Sequence, residues 1–171
     1  MKKISGITLL ITSFLFSFQA FAAKPEVIGT YGDWTAYHYR DARGSICYMV
    51  SYPKKDEGKY SKRGNIAAIV THRPADKTYD VVNFDAGYTF KNGAPVTVKI
   101  GRTTVTDFFT DGERAWTVDD KTDRQMVSLM KSGDRMIVDG VSSRGTKTKD
   151  TYSLKGFTGA YKAISAKCKK K

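Results

Sequence analysis

The chain has 171 residues, two cysteines, four prolines and a formal charge of +12. That length holds one domain and leaves little room for a second. With 40% hydrophobic and 12% aromatic residues, it carries enough apolar surface to offset chain entropy, which excludes a disordered polymer.

The first residues read as an address. Met1-Lys2-Lys3 is a short positive start, Ile4 to Phe18 carries no charge, and Ala20-Phe21-Ala22 follows a small-x-small rule before Lys24-Pro25. This pattern predicts a secretory signal peptide over residues 1–22, cleaved after Ala22. The apolar run falls short of the roughly 20 residues a membrane span needs. No cysteine follows the cleavage site to carry a lipid. Removal leaves 149 residues, expected to form a single domain over 23–171 that is periplasmic, surface-associated or secreted.

Short strands dominate the mature chain. They are predicted at Asp33 to Tyr39, Ser45 to Tyr52, Ile66 to His72 and Tyr79 to Phe84, then at Val96 to Ile100, Thr103 to Phe109, Met136 to Val141 and Thr146 to Leu154. Val96-Thr97-Val98-Lys99-Ile100 alternates apolar and polar residues, the mark of a half-buried strand. Asn92-Gly93, Gly101-Arg102 and Ser143-Arg144-Gly145 supply turns. Thr122-Asp-Arg-Gln125 fits a capping box opening a helix whose face is Met126, Leu129 and Met130, with Gly133 as its stop. A second helix is expected near Thr158 to Lys167, with Phe157, Tyr161, Ile164 and Cys168 on one face. The fold class is therefore mainly β: an antiparallel β-sandwich or barrel-like single domain with one or two short helices.

Cys47 and Cys168 are the only thiols. An even count behind a signal peptide predicts one disulfide. It would tie an early segment to the extreme C-terminus and, by chain entropy, contribute up to about 4.7 kcal/mol. A reactive thiol would want a CxxC spacing or a neighbouring histidine, and neither is present.

The positive charge is local. From Arg144 to Lys171 there are nine basic residues and one acid, Asp150, densest at Lys167, Lys169, Lys170 and Lys171. A second cluster, Lys54, Lys55, Lys59, Lys62 and Arg63, is diluted by Asp56 and Glu57 in an expected loop. These nine cations are the candidate contacts for an anionic surface: a lipid headgroup, lipopolysaccharide or host polysaccharide. A merely solubilising surface explains the same charge. Nucleic acid is disfavoured by export and by the absence of a recognition motif.

Chemistry is harder to find. His38 and His72 lie 34 positions apart without HxxH or HExxH spacing. Asp119, Asp120 and Asp123 suggest calcium, but they lack the DxDxDG spacing and suit a helix N-terminus equally. There is no GxSxG elbow, Walker loop or dinucleotide fingerprint. No catalytic residue, cofactor or metal is assigned, and a non-enzymatic protein is expected. A triad assembled from distant positions is recognised by geometry alone.

Several segments together resemble a known family. Gly32-Asp33-Trp34-Thr35-Ala36-Tyr37, Cys47-Tyr48-Met49, Val70-Thr71-His72-Arg73-Pro74 and Ala115-Trp116 are followed by Val141-Ser-Ser-Arg-Gly-Thr146, Asp150-Thr-Tyr-Ser-Leu-Lys-Gly-Phe157 and Cys168. In that order they resemble the invasion-associated locus B family of exported bacterial proteins. The resemblance implies a small β-rich domain at or beyond the periplasm, with founding members linked to invasion of host cells and no established catalytic residue. Many relatives have a cysteine shortly after the GDW motif, where this chain has His38, so Cys47–Cys168 is its one pairing. The shared positions are expected to be scaffold: Trp34 and Trp116 anchoring the core, Gly145 turning a corner, Phe157 stapling the second helix. The leading expectation is a partner-binding protein of the envelope or host surface. An envelope-maintenance or stress protein, or an enzyme with a cryptic site, are the alternatives.

Overall fold

The computed structural model describes residues 24–170. Residues 1–23, which include the signal peptide expected over 1–22, and Lys171 lie outside the described residues. Among the described residues, no helix is long and apolar enough to cross a membrane.

Among the described residues, twelve strands and two α-helices are built in this order: β1 (Glu26–Tyr31), β2 (Trp34–Asp41), β3 (Gly44–Ser51), β4 (Lys55–Gly58), β5 (Ala67–Arg73), β6 (Thr78–Asp85), β7 (Thr97–Ile100), β8 (Thr103–Val105), β9 (Phe108–Asp111), β10 (Arg114–Thr117), α1 (Asp120–Ser132), β11 (Arg135–Val141), β12 (Lys147–Ser153) and α2 (Phe157–Lys167). They form a seven-stranded sheet, β1-β2-β3-β5-β6-β10-β9, and a five-stranded sheet, β4-β12-β11-β7-β8. Every pairing is antiparallel. The sheets have open edges, so the architecture is a sandwich and not a closed barrel.

Alternation decides what is inside. In register across the large sheet, Ala36 faces Met49, Met49 faces Val70, and Val70 faces Val82; all four are fully buried. Because strand side chains alternate, their neighbours on the opposite face include Tyr37, Tyr48 and Thr71. The small sheet turns Val98, Met136, Val138 and Tyr152 inward. Phe84 meets Tyr152 across the layers with ring centroids 6.5 Å apart. Helix α1 packs on β6, and α2 covers β1, β2 and β3.

Several expectations need correction. Lys55–Gly58 is an edge strand, not a loop, because its backbone pairs with β12. The stretch from Thr103 to Phe109 breaks into β8 and β9, which belong to different sheets. Helix α1 starts earlier than the capping box predicted: the Asp119 carboxylate accepts the Thr122 N–H at 2.7 Å and is the N-cap, so Thr122 falls inside the helix. Trp34 is fully buried, donates its indole N–H to the Ser153 carbonyl at 3.1 Å and meets Phe157 edge-on at 4.9 Å. Trp116 is not a core anchor. The inward positions of β10 are Ala115 and Thr117, so period two turns Trp116 to the other face, half-buried.

Gly156 opens α2 with φ +90°, and a Cβ there would run into the Tyr31 carbonyl. Only glycine lets this helix begin so close to the β1–β2 turn. The helix then carries Cys168, its C-cap, to Cys47 on β3: the disulfide forms with Cα atoms 6.0 Å apart.

Candidate functional site

Partners sort the cations singled out by sequence. Lys54 pairs with Asp33 and holds that carboxyl below its ordinary range. Lys55 lies 2.9 Å from Glu57 and Lys167 lies 3.7 Å from Glu26, both exposed and salt-screened. Lys170 folds back onto the Asp80 carboxylate and donates to the Tyr161 hydroxyl at 2.6 Å. Burial opposes the charge on Lys170, but these two partners together outweigh it. The terminal basic run is therefore partly spent on its own fold.

Arg63 departs furthest from the expectation of a surface contact. Its side chain is only 4% exposed. Its guanidinium donates to both Asp150 oxygens at 2.7 and 2.6 Å, and its Nε donates to the Ala86 carbonyl at 2.7 Å. The rings of Tyr60 and Tyr88 flank it at 5.4 and 5.0 Å. Asp150 stands on an inward position of β12, where burial pushes its carboxyl up against the pull of Arg63. The bidentate pair bolts the 59–66 segment to both layers. Beside it Gly64 donates its N–H to the Gly87 carbonyl at 2.8 Å, an approach so close that no Cβ fits at Gly87.

Lys59 and Lys62 are carried on that bolted segment. Arg144 faces them from the β11–β12 corner. Among the described residues none of the three has a carboxylate within ion-pair distance. They line one cleft of about 580 Å³, in which Glu113 is the single acid among the lining residues. A second hollow of about 680 Å³ shares Lys59, Arg144 and Thr146 and adds Lys147. The corner is fixed from within. Gly145 takes φ +83° and donates to the Ser142 carbonyl at 2.8 Å, Thr146 N–H is accepted by Ser142 Oγ at 3.1 Å, and Ser143 N–H by the Thr89 carbonyl at 2.7 Å. The fold thus brings Lys59 and Lys62 of one basic cluster beside Arg144 of the other. The spacing of the residues gave no hint of it: Lys59 and Arg144 are 85 positions apart. Lys169 is exposed and stands away from this cleft, beyond the α2 cap.

The titratable groups considered for chemistry are engaged elsewhere. His38 and His72 occupy one row on either side of Cys47. Two strand spacings separate them, about 10 Å. His38 bonds Ser45 Oγ at 3.3 Å and stands 3.6 Å from Glu26. His72 is fully buried; its Nδ1 accepts the Asp80 N–H and its Nε2 meets Ser165 Oγ at 3.1 Å. An amide can only donate, so the ring is neutral with its proton on Nε2. Burial lowers its pKa to about 4. The three aspartates do not converge: Asp119 caps α1, Asp120 is exposed, and Asp123 turns inward to accept the Val82 N–H at 2.8 Å and the Thr117 hydroxyl. Among the described residues no group of three or more His, Cys, Asp or Glu is placed to hold a metal ion.

A family model described as "Invasion associated locus B (IalB) protein" matches residues 34–165. The chain belongs to the invasion associated locus B family. Comparisons with curated proteins and with solved structures return no match. The family match spans the small sheet, the large sheet except β1, α1 and most of α2, and the cleft lies wholly inside it.

Proposed function

We propose that this invasion associated locus B family member is an exported, non-enzymatic domain that binds an anionic partner at the bacterial envelope or the host cell surface. The observation that carries the reading is the convergence of Lys59, Lys62 and Arg144, each without a carboxylate partner among the described residues, on one preformed cleft. Lys54, Lys55, Arg63, Lys167 and Lys170 are each shared with a carboxylate of the fold. Unshared cations held on rigid backbone raise the local concentration of anions and bind them at little ordering cost. The signal segment supports export, and the disulfide fits an oxidising compartment.

Binding of the exported, oxidised protein to immobilised heparin and to vesicles containing anionic lipid tests this reading. Retention that is strong at low salt and falls steeply with added salt supports it. Indifference to both surfaces at low salt contradicts it, and leaves the charge as plain solvation.

A further inference from the structure

The cleft between the 59–64 segment and the Ser142–Thr146 corner has a composition more particular than positive charge. We infer that it is a binding site for a single phosphate or sulfate ester carried on a saccharide, with Lys59, Lys62 and Arg144 holding the anion. This deepens the envelope-binding reading above and rests on it.

Three features lead there. First, the cations are mixed: two ammoniums and one guanidinium, and a guanidinium presents a planar fork that matches a tetrahedral oxyanion. Second, the volume of about 580 Å³ lies in the range of small-molecule sites and far exceeds a bare ion. Third, much of the remaining lining, Glu113 apart, is what a sugar ring meets: the hydroxyls of Ser61, Ser143, Thr89 and Thr146, and the rings of Tyr60 and Tyr88. Hydroxyls exchange hydrogen bonds with a polyol, and aromatic rings pack against its C–H faces.

The site is also held in shape before any ligand arrives. Arg63 spends its charge on Asp150 and fixes the lysine-bearing segment, while the corner closes on its own hydrogen bonds. Arg63 is a positioning residue here: its donors face Asp150 and Ala86, leaving ester contact to the three exposed cations.

Glucosamine 6-phosphate, N-acetylglucosamine 6-sulfate and inorganic phosphate, titrated separately into isotope-labelled exported protein, provide the test. We expect one or both esters to shift the backbone amides of residues 59–64, 87–89 and 142–146. Arg144→Gln and the pair Lys59→Gln/Lys62→Gln are expected to weaken binding about tenfold per cation removed, whereas Lys169→Gln leaves it unchanged. All four residues are exposed, so the variants keep the parent amide spectrum outside the cleft. A stronger response to the phosphate ester points to the bacterial envelope, and to the sulfate ester to host polysaccharide. Inorganic phosphate binding as tightly as either ester overturns the saccharide assignment. Heparin retention without amide shifts in the cleft overturns the site and leaves the envelope reading standing. Indifference to heparin and to anionic vesicles alike at low salt overturns both.

Discussion

The Nδ1 atom of His72 accepts the backbone N–H of Asp80 at 3.1 Å. Asp80 sits in the left-handed region at φ +64°, in the irregular stretch where β5 and β6 lose register. A buried neutral ring thus secures a strained amide, and the Asp80 carboxylate in turn holds Tyr161 and Lys170 of the C-terminal segment.

This arrangement makes stability depend on pH. The His72 pKa falls from 6.5 to about 4, so between those values the unfolded chain takes up a proton that the folded chain refuses. Stability is therefore lost as pH drops from about 6.5 towards 4, by about 3 kcal/mol. Urea unfolding at pH 7 and pH 4.5 measures it. His72→Gln is expected to shrink the difference between the two pH values, although the variant is less stable at neutral pH.

The disulfide closes the same region. Cys47 and Cys168 are separated by 121 positions, so reduction or Cys168→Ser is expected to cost up to about 4.7 kcal/mol through the denatured chain. It also frees the α2 terminus and with it the Lys170–Asp80 pair. Denaturant midpoints with and without reductant, followed through Tyr161 near-ultraviolet signals, report both effects. Equal midpoints would deny the disulfide its tethering role.

Arg63 and Asp150 form a coupled pair. Arg63→Met strands a buried carboxylate and is expected to destabilise by about 3–5 kcal/mol. Arg63→Met/Asp150→Leu removes both charges and is expected to recover most of that loss. A double-mutant cycle by urea unfolding measures the coupling, and strict additivity of the two single changes would show that the bolt carries no energy.

Much of this fold is legible in the residues. Alternation in Val96 to Ile100 and the 4, 7, 11 offsets of the Phe157 face report burial directly, because period two and period 3.6 are set by backbone geometry. What escaped was long-range pairing. Lys55–Gly58 is polar throughout, and it becomes a strand only because β12 offers it a free edge. Trp116 reads as core by residue type, yet the register of β10 turns it outward. One signal for Arg63 was present: Asp150 is in phase with Tyr152 and Leu154, so it faces inward with them and requires a buried cation. The cleft left no trace of that kind, since Lys59, Lys62 and Arg144 meet only after both sheets have formed.

Whether those three cations act as one site decides where on the molecule an anionic partner binds. Retention of the oxidised protein on immobilised heparin across a salt series, compared with Lys59→Gln/Lys62→Gln/Arg144→Gln, measures this most directly. The expected result is weaker retention and a shallower dependence on salt in the triple variant, because fewer screened contacts remain to be lost. Two superimposable salt curves would contradict it and move the binding surface elsewhere on the molecule.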